Sequence, residues 1–464
     1  MKRMLSSIAV VAVCIGFTTS QWTFAADERP NVILLLCDDI GAHELGVYGH
    51  PKHKTPNLDR LANTGIYFET GYATPICHST RFQIMTGQYG HHNGVYQFPA
   101  RPGGPKVANK GADDISKHLT IGKVFNDAGY ATAHCGKWQL SGEHPNLIYE
   151  TGFDQYCMWA YKHNLPPGAE HDGMWEGKSG VKTARYWHPS IVKNGEYLPT
   201  TIDDYGPDIF SDFAIDFARN SGEKPFFIYY PMALVHSPYW PTPDDNPSDD
   251  EKNVNAKSNW QSNVQYTDKI VGKLIAGLER MGKRDNTLFI FIGDNGTGGN
   301  GKAQVTEMGC RVPFILNGPN LVKPVGACRE LVDISDVLPT CCDVAGIQLP
   351  EDAVIDGISF RDYLRGDLTP KRDYVYQYLG GGRVVRTKRW LLEKNTMSDF
   401  GRLIDCGESR NGDGYVDKTN SNEPEAVAAR EMMREILADK PVPVVAATKP
   451  KTRTQKQKKQ KAKS

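Results

Sequence analysis

Four short clusters along the chain carry side chains able to do chemistry, and each follows an apolar run of strand length. Asp38-Asp39 follows Asn31 to Cys37, Gly136-Lys137-Trp138 follows Tyr130 to Cys135, His236 lies just beyond Phe226 to Tyr230, and Asp294-Asn295 follows Leu288 to Ile292. Asp38, Asp39, Asp294 and Asn295 offer only carboxylate and amide oxygens, the donor set of a hard divalent cation such as calcium or magnesium. A helix cap or turn is the plainer reading of one Asp-Asp pair. Two oxygen-rich pairs after two buried strands favour the metal. A fifth cluster, Cys77-His78-Ser79-Thr80-Arg81, follows Pro75 and runs through an apolar stretch to Gly87. That places Cys77 near a helix N-terminus, where backbone N–H groups favour negative charge, with Arg81 one turn further on. A buried, inert thiol is the usual alternative for a lone cysteine. Gly296 to Lys302 formally matches a phosphate-binding G-x-x-x-x-G-K loop, but Ala303 stands where such a loop needs Ser or Thr, so no nucleotide is expected.

The scaffold that must position these groups is legible from punctuation and period. Asn31 to Cys37 is a continuous apolar run of the kind buried on both faces of a parallel sheet. Thr55-Pro56 predicts a capped helix stopped by Gly65, with Ile66 to Phe68 resuming as a strand. Thr120 caps a second helix ending at Gly129, before the strand Tyr130 to Cys135. Pro207 to Arg219 and Val264 to Met281 carry helical apolar stripes, and the strands Pro225 to Tyr230 and Thr287 to Ile292 follow them. Alternating helices and strands mean an α/β fold, a large and mostly parallel sheet covered by helices. In such a sheet ligands bind at the carboxyl ends of the strands, so the four strand-end clusters are expected to face one pocket. Tyr374 to Leu379, three glycines, and Arg383 to Lys394 read as a hairpin, which predicts a smaller C-terminal domain with an antiparallel sheet.

The chain has 464 residues, with 54 Lys+Arg against 54 Asp+Glu, 39% hydrophobic and 23% charged side chains. This is ordinary for a folded protein and excludes a collagen-like or wholly disordered chain. The zero net charge hides opposite blocks. Lys449 to Ser464 holds eight basic side chains and no acid, and Lys2 and Arg3 add two more, which leaves the body between them acidic by ten. Lys2-Arg3, the apolar run from Leu5 to Phe17 and the small residues at Ala25-Ala26 read as a secretory signal peptide rather than a membrane anchor, the run being shorter than the ~20 residues needed to span. The expected organisation is a leader at 1–26, a catalytic domain at 27–350, a small antiparallel-sheet subdomain at 351–440 and a disordered basic tail at 441–464. The protein is expected to be secreted or periplasmic. Of ten cysteines, cleavage would remove Cys14 and leave an odd number, too sparsely spread for a disulfide scaffold and without a zinc-like pair. Tyr156, Trp159, Tyr161, Lys162, His163, Tyr186, Trp187 and His188 suggest a sugar-stacking rim, with simple packing as the alternative.

These motifs, in their order, resemble the sulfatase family of the alkaline phosphatase-like superfamily. The likeness runs from Asn31-Val32-Ile33 and Asp38-Asp39 through Cys77 to Gly87, Gly136-Lys137-Trp138, Gly152-Phe153-Asp154, His236 and Asp294-Asn295-Gly296. It continues through Lys302 with Glu307, Arg311-Val312-Pro313, and Asp336-Val337-Leu338-Pro339-Thr340 to Asp356-Gly357. The resemblance implies that Cys77 is converted to formylglycine by a maturation enzyme and that its hydrate is the nucleophile. It implies a divalent cation, calcium or alternatively magnesium, held by Asp38, Asp39, Asp294, Asn295 and residue 77. Arg81 would hold the hydrate, Lys137, Gln139 and Lys302 would contact the sulfate, and His236 would bind substrate and protonate the leaving group. The implied substrate is a sulfated small molecule or glycan, aryl sulfates included.

Two departures stand against the pattern. The maturation signature is C-x-P-x-R or C-x-A-x-R, and this chain has Ser79 at the third position. Many relatives have a histidine after Gly-Lys-Trp, and this chain has Gln139, which can hydrogen-bond but cannot take a proton. His43, His78 and His134 are the remaining candidates for a second base. A phosphodiester or phosphonate monoester hydrolase of the same superfamily and a catalytically weak sulfated-glycan binding protein are the competing functional readings. No nucleic-acid partner and no transmembrane span are expected, while the basic tail is a candidate contact for polyanions.

Overall fold

The structure is a computed structural model that describes residues 29–97, 114–140, 146–160, 185–395 and 400–441. The leader, the basic tail beyond Pro441, and Tyr161, Lys162 and His163 lie outside the described residues. Ten strands form one large sheet: β1 (Asn31–Cys37), β2 (Ile66–Tyr72), β3 (Ala131–Gly136), β4 (Gln155–Trp159), β5 (Ile191–Lys193), β6 (Glu196–Tyr197), β7 (Phe226–Pro231), β8 (Thr287–Gly293), β9 (Phe314–Asn317) and β10 (Gly326–Asp333). Their order is β10-β2-β9-β8-β1-β7-β3-β4-β5-β6. The centre, β8-β1-β7-β3-β4, is parallel throughout. β9 runs antiparallel to both of its neighbours, and β5 and β6 close the far edge as antiparallel strands.

Every residue of β1, β7 and β8 is buried, as expected for strands covered by helices on both faces. Helices Pro56–Asn63, Gly206–Asn220 and Trp260–Arg280 pack together as one covering layer, each with its apolar stripe turned inward, and helices Cys77–Thr86, Ile121–Asp127 and Val337–Ala345 form a second group. Thr120 caps its helix as expected, accepting from the Lys123 N–H. Thr55 does not. Its hydroxyl donates to Asp59 and accepts from the Gly46 N–H, and the first N–H groups of helix Pro56–Asn63 are taken by Asp268, which reaches across from helix Trp260–Arg280 to Asn57 N at 3.2 Å and Leu58 N at 2.8 Å. A carboxylate from another element thus does the work assigned to a local hydroxyl.

A second, antiparallel sheet follows: β11 (Tyr374–Leu379), β12 (Gly382–Thr387), β13 (Trp390–Lys394), β14 (Arg402–Asp405) and β15 (Val416–Asp417), paired in that order. The expected hairpin is real, but its second arm folds back at Lys388-Arg389 to make two strands. Helix Pro424–Ala438 packs its Ala426, Ala429 and Met433 against one face, with Tyr376, Tyr378 and Tyr89. The other face meets the main body through Tyr72, Cys310 and Leu331. The short helix Arg361–Leu364 still belongs to the main core, through Phe360, Tyr363 and Leu364. All nine described cysteines are free and buried, and among the described residues no helix is long and apolar enough to cross a membrane.

Candidate active site

Because β8, β1, β7 and β3 are adjacent and parallel, the residues that follow them emerge side by side: Asp294-Asn295, Asp38-Asp39, His236 and Lys137. Helix Cys77–Thr86 is buried along its whole length and sets Cys77 at its first position, with Gly87 ending it in the left-handed conformation. Arg81, one turn later, is fully buried and donates to Asp294 Oδ2 at 2.8 Å and to the Lys137 carbonyl at 3.0 Å. Lys137 Nζ donates to Asp38 Oδ2. Lys302 Nζ donates to Asp39 Oδ2 at 2.7 Å. Asn295 Nδ2 donates to Asp39 Oδ1 at 2.9 Å, and the Asp39 N–H donates to Asp294 Oδ1 at 2.9 Å. His236 Nε2 lies 3.7 Å from Asp39 Oδ2. Asp38, Asp39, Cys77, Arg81, Lys137, His236, Asp294, Asn295 and Lys302 therefore converge, and Gln139 is tied beside them through its backbone, its carbonyl accepting from His78 Nδ1 at 3.0 Å.

The electrostatics follow from crowding three carboxylates in a buried pocket. Burial alone would raise the Asp38 carboxyl, but Lys137, His236, Arg81 and Lys302 outweigh it and hold Asp38 well below the usual range. Asp39 is pushed up by burial and by the neighbouring Asp38 charge, against the pull of Lys302 and Lys137. Burial and Asp38 also raise Asp294, to about 7. Burial raises the Cys77 thiol, partly offset by Lys137 and Lys302. Burial lowers the proton affinity of His236 well below the ordinary histidine value, with Asp38 opposing and Lys137 and Arg185 reinforcing. Asp39, Gln139 and Ala303, next to Lys302, all sit in the left-handed backbone region at φ 62°, 51° and 62°. Such conformations cost about 1–3 kcal/mol each, and their clustering here ties strain to the site.

The donor set fits a divalent cation. Asp38, Cys77 and Asp294 can each turn one ligand atom to a common point. Asp38 Oδ1 and Asn295 Oδ1 are buried without a hydrogen-bond partner among the described residues, a costly state that a cation would relieve. A positive ion would likewise reverse the upward pressure on Asp39 and Asp294.

Of the other sequence candidates, His134 has neither ring nitrogen hydrogen-bonded and is packed among Trp138, Phe153 and Tyr229. His43 lies beside Glu44 at 3.2 Å. The suggested sugar-stacking rim is corrected for four of its five described members: Tyr156, Trp159, Tyr186 and Trp187 are buried core residues, and His188 alone is partly exposed. Tyr186 donates to the Ala233 carbonyl and Trp187 to the Pro241 carbonyl, so these rings brace the loop that carries His236. Sequence reasoning missed Arg185, whose Nη1 is 3.0 Å from His236 Nδ1 and whose guanidinium lies 4.3 Å over Trp159. No motif surrounds it, and only the fold brings it to the site. Tyr239 was also missed: burial and the nearby Asp39 charge raise its hydroxyl, and its ring meets Trp260 edge-on at 5.1 Å.

The large, mostly parallel sheet with its separate antiparallel sheet is an alkaline phosphatase-like fold, as in the solved sulfatase structures it resembles, and it gathers oxygen donors, a buried cysteine and two lysines at the carboxyl edge of its strands. Residues 30–347 match the sulfatase family model, and the chain belongs to the sulfatase family. It is thus a sulfuric ester hydrolase. Among curated proteins it is 29% identical over 381 residues to N-acetylgalactosamine-6-sulfatase of Rattus norvegicus, covering 76% of this chain and 69% of that enzyme. It is 28% identical over 379 residues to arylsulfatase A of Homo sapiens, covering 76% and 71%. Among solved structures, Ps i-CgsB superposes with a TM-score of 0.72 at 25% identity, over 90% of this chain and 94% of that one.

Proposed function

We propose that this chain is an exported, formylglycine-dependent sulfatase that uses a divalent cation and cleaves sulfate esters of carbohydrates as well as aryl sulfates. The observation that carries this reading is the placing of Cys77 at a helix N-terminus among Arg81, Lys137, Lys302 and three buried carboxylates. The carbohydrate preference draws on two comparisons. A structure of Ps i-CgsB in complex with k-i-k-neocarrahexaose has a TM-score of 0.72, and the curated relatives include a sugar sulfatase.

Asp38, Asp39, Asp294, Asn295 and residue 77 would hold the cation, which as a Lewis acid polarises a sulfate oxygen and lowers the proton affinity of a bound hydroxyl. Formylglycine at residue 77 supplies a hydrated aldehyde as nucleophile. The chain's own groups do the rest. Lys137 and Lys302 turn from their carboxylates to the sulfate oxygens and stabilise charge as it develops. Arg81, locked between Asp294 and the Lys137 carbonyl, fixes the orientation of residue 77. His236 Nδ1 lies 3.0 Å from Arg185 Nη1, which can only donate, and 2.6 Å from the Ser237 carbonyl; accepting from the arginine keeps the ring proton on Nε2, from which it would pass to the leaving oxygen.

Mass spectrometry of the peptide spanning Cys77, combined with turnover of 4-nitrophenyl sulfate and the matching aryl phosphate diester, tests the reading. An aldehyde at residue 77 and faster sulfate cleavage are expected. Faster phosphate cleavage would sink it in favour of a phosphodiesterase. A wholly unconverted thiol in the native host, with sulfate bound but not cleaved, would favour a glycan-binding protein.

A further inference from the structure

Gln139 stands where many relatives carry histidine, and its setting is built rather than permissive. Its backbone is left-handed at φ 51°, the residue is 8% exposed, and its carboxamide Oε1 is buried with no hydrogen-bond partner among the described residues. A glutamine has no intrinsic preference for that conformation, so something outside the residue must hold it. The holder is visible: the Gln139 carbonyl accepts from Nδ1 of His78 at 3.0 Å. A carbonyl oxygen can only accept, so His78 carries its proton on Nδ1. His78 is the residue after Cys77, on the first turn of helix Cys77–Thr86, and is 2% exposed. Two residues earlier, the Lys137 carbonyl is tied by Arg81 Nη1 at 3.0 Å. The segment from Lys137 to Gln139 is therefore pinned at two carbonyls by side chains of the one helix that presents Cys77.

We propose that His78 is a positioning residue for Gln139, holding it left-handed so that its carboxamide stands as a fixed hydrogen-bonding group in the catalytic pocket, the partnerless oxygen accepting from an O–H donor. That donor is either a hydroxyl of the substrate's alcohol part or a hydroxyl of the hydrated residue 77. The inference rests on the sulfatase reading of the site and deepens it: the role of the absent histidine is met by an amide that accepts a hydrogen bond, with a neighbouring histidine spent on aiming it.

A double-mutant cycle tests this on the full chain. His78→Ala, His78→Asn, Gln139→Ala and the His78→Ala/Gln139→Ala double variant are compared on 4-nitrophenyl sulfate, with rates expressed per converted residue 77 as counted by mass spectrometry. Asn places an amide N–H where His places Nδ1–H. Gln139→Ala and His78→Ala are each expected to lower kcat roughly tenfold with KM within about twofold, the double variant to be no worse than Gln139→Ala, and His78→Asn to stay within about threefold of wild type. Additive losses, or an Asn variant as poor as the Ala variant, would overturn the proposal. A pyranose sulfate and its deoxy analogue at the neighbouring carbon separate the donors. If Gln139→Ala erases a preference for the hydroxylated sugar, the substrate is the donor; an equal loss on both assigns the hydroxyl of residue 77. Should the wild-type protein bind inorganic sulfate yet cleave no sulfate ester, the sulfatase reading fails instead, and the same cycle is read in melting temperatures: non-additive shifts support the 78–139 link and additive ones remove it.

Discussion

His236 meets the pocket through Nε2, 3.7 Å from Asp39 Oδ2, while Nδ1 faces the donor-only Arg185 guanidinium at 3.0 Å, and that division separates its role from the roles of the lysines. A general acid matters in proportion to how poor the leaving group is. His236→Ala is therefore expected to slow a sugar sulfate, whose alkoxide needs a proton, by about 100-fold or more, and 4-nitrophenyl sulfate by less than about tenfold. Equal losses on the two substrates, measured as kcat at saturation, would place His236 in sulfate binding instead. The residues that sequence alone made legible, Asp38, Asp39, Lys137, Asp294 and Asn295, share one property: they follow buried strands directly, so their position in space is set by their position in the chain. Arg185 and Tyr239 come from irregular segments, and no local pattern announces where such a side chain ends. The aromatic residues misled for the opposite reason. Tyr186 and Trp187 have the composition of a binding surface, but burial is decided by what packs over them.

Elements were legible where periodicity is strong and less so where a partner decides. Helix Trp260–Arg280 and strand β8 followed from apolar spacing, whereas the antiparallel course of β9 and the cap on helix Pro56–Asn63 depend on tertiary contacts that spacing does not encode. Removing that cap with Asp268→Ala frees the Asn57 and Leu58 N–H groups and is expected to cost about 1–2 kcal/mol in urea unfolding. Thr55→Val should cost less, since its hydroxyl serves the Gly46 turn rather than the helix. β3 carries a second consequence. Burial, reinforced by the Arg81 charge, lowers the proton affinity of His134 to about 3, against about 6.5 in an unfolded chain. The unfolded state therefore takes up the proton first as pH falls. The stability that depends on neutral His134 is full above about pH 6.5 and declines below it, by up to about 1.4 kcal/mol per pH unit. Between pH 6.5 and 5, wild type is expected to lose about 2 kcal/mol more than His134→Phe. Parallel losses in the two proteins would assign the acid sensitivity to other groups.

The two sheets meet through a buried polar contact beside the catalytic edge. Glu307 accepts from Tyr72 Oη at 2.6 Å and pairs with the fully buried Arg386 of β12 at 3.3 Å. The segment from Lys302 to Glu307 links this contact to the pocket, and Val305 touches Gly382 closely enough that a Cβ there would lie 2.7 Å from it. Arg386→Met strands the Glu307 charge and is expected to cost about 3–5 kcal/mol in denaturant unfolding. It should also lower kcat/KM through Lys302; a destabilised variant with unchanged kinetics would show that the small sheet only buttresses the fold. For the chain end, deletion of Lys449 to Ser464 is expected to leave 4-nitrophenyl sulfate turnover intact and to weaken retention on a sulfated polymer at low salt. Unchanged retention removes the tail from binding. Eight of the nine described cysteines, all but residue 77 of the site, finally make the folded body silent to thiol reagents: each is buried, and burial raises the proton affinity of Cys37, Cys135, Cys310 and Cys341 far above the ordinary thiol value. Labelling by a thiol-reactive dye thus becomes a clock for opening of the body, read strand by strand in a protein that carries its own reporters.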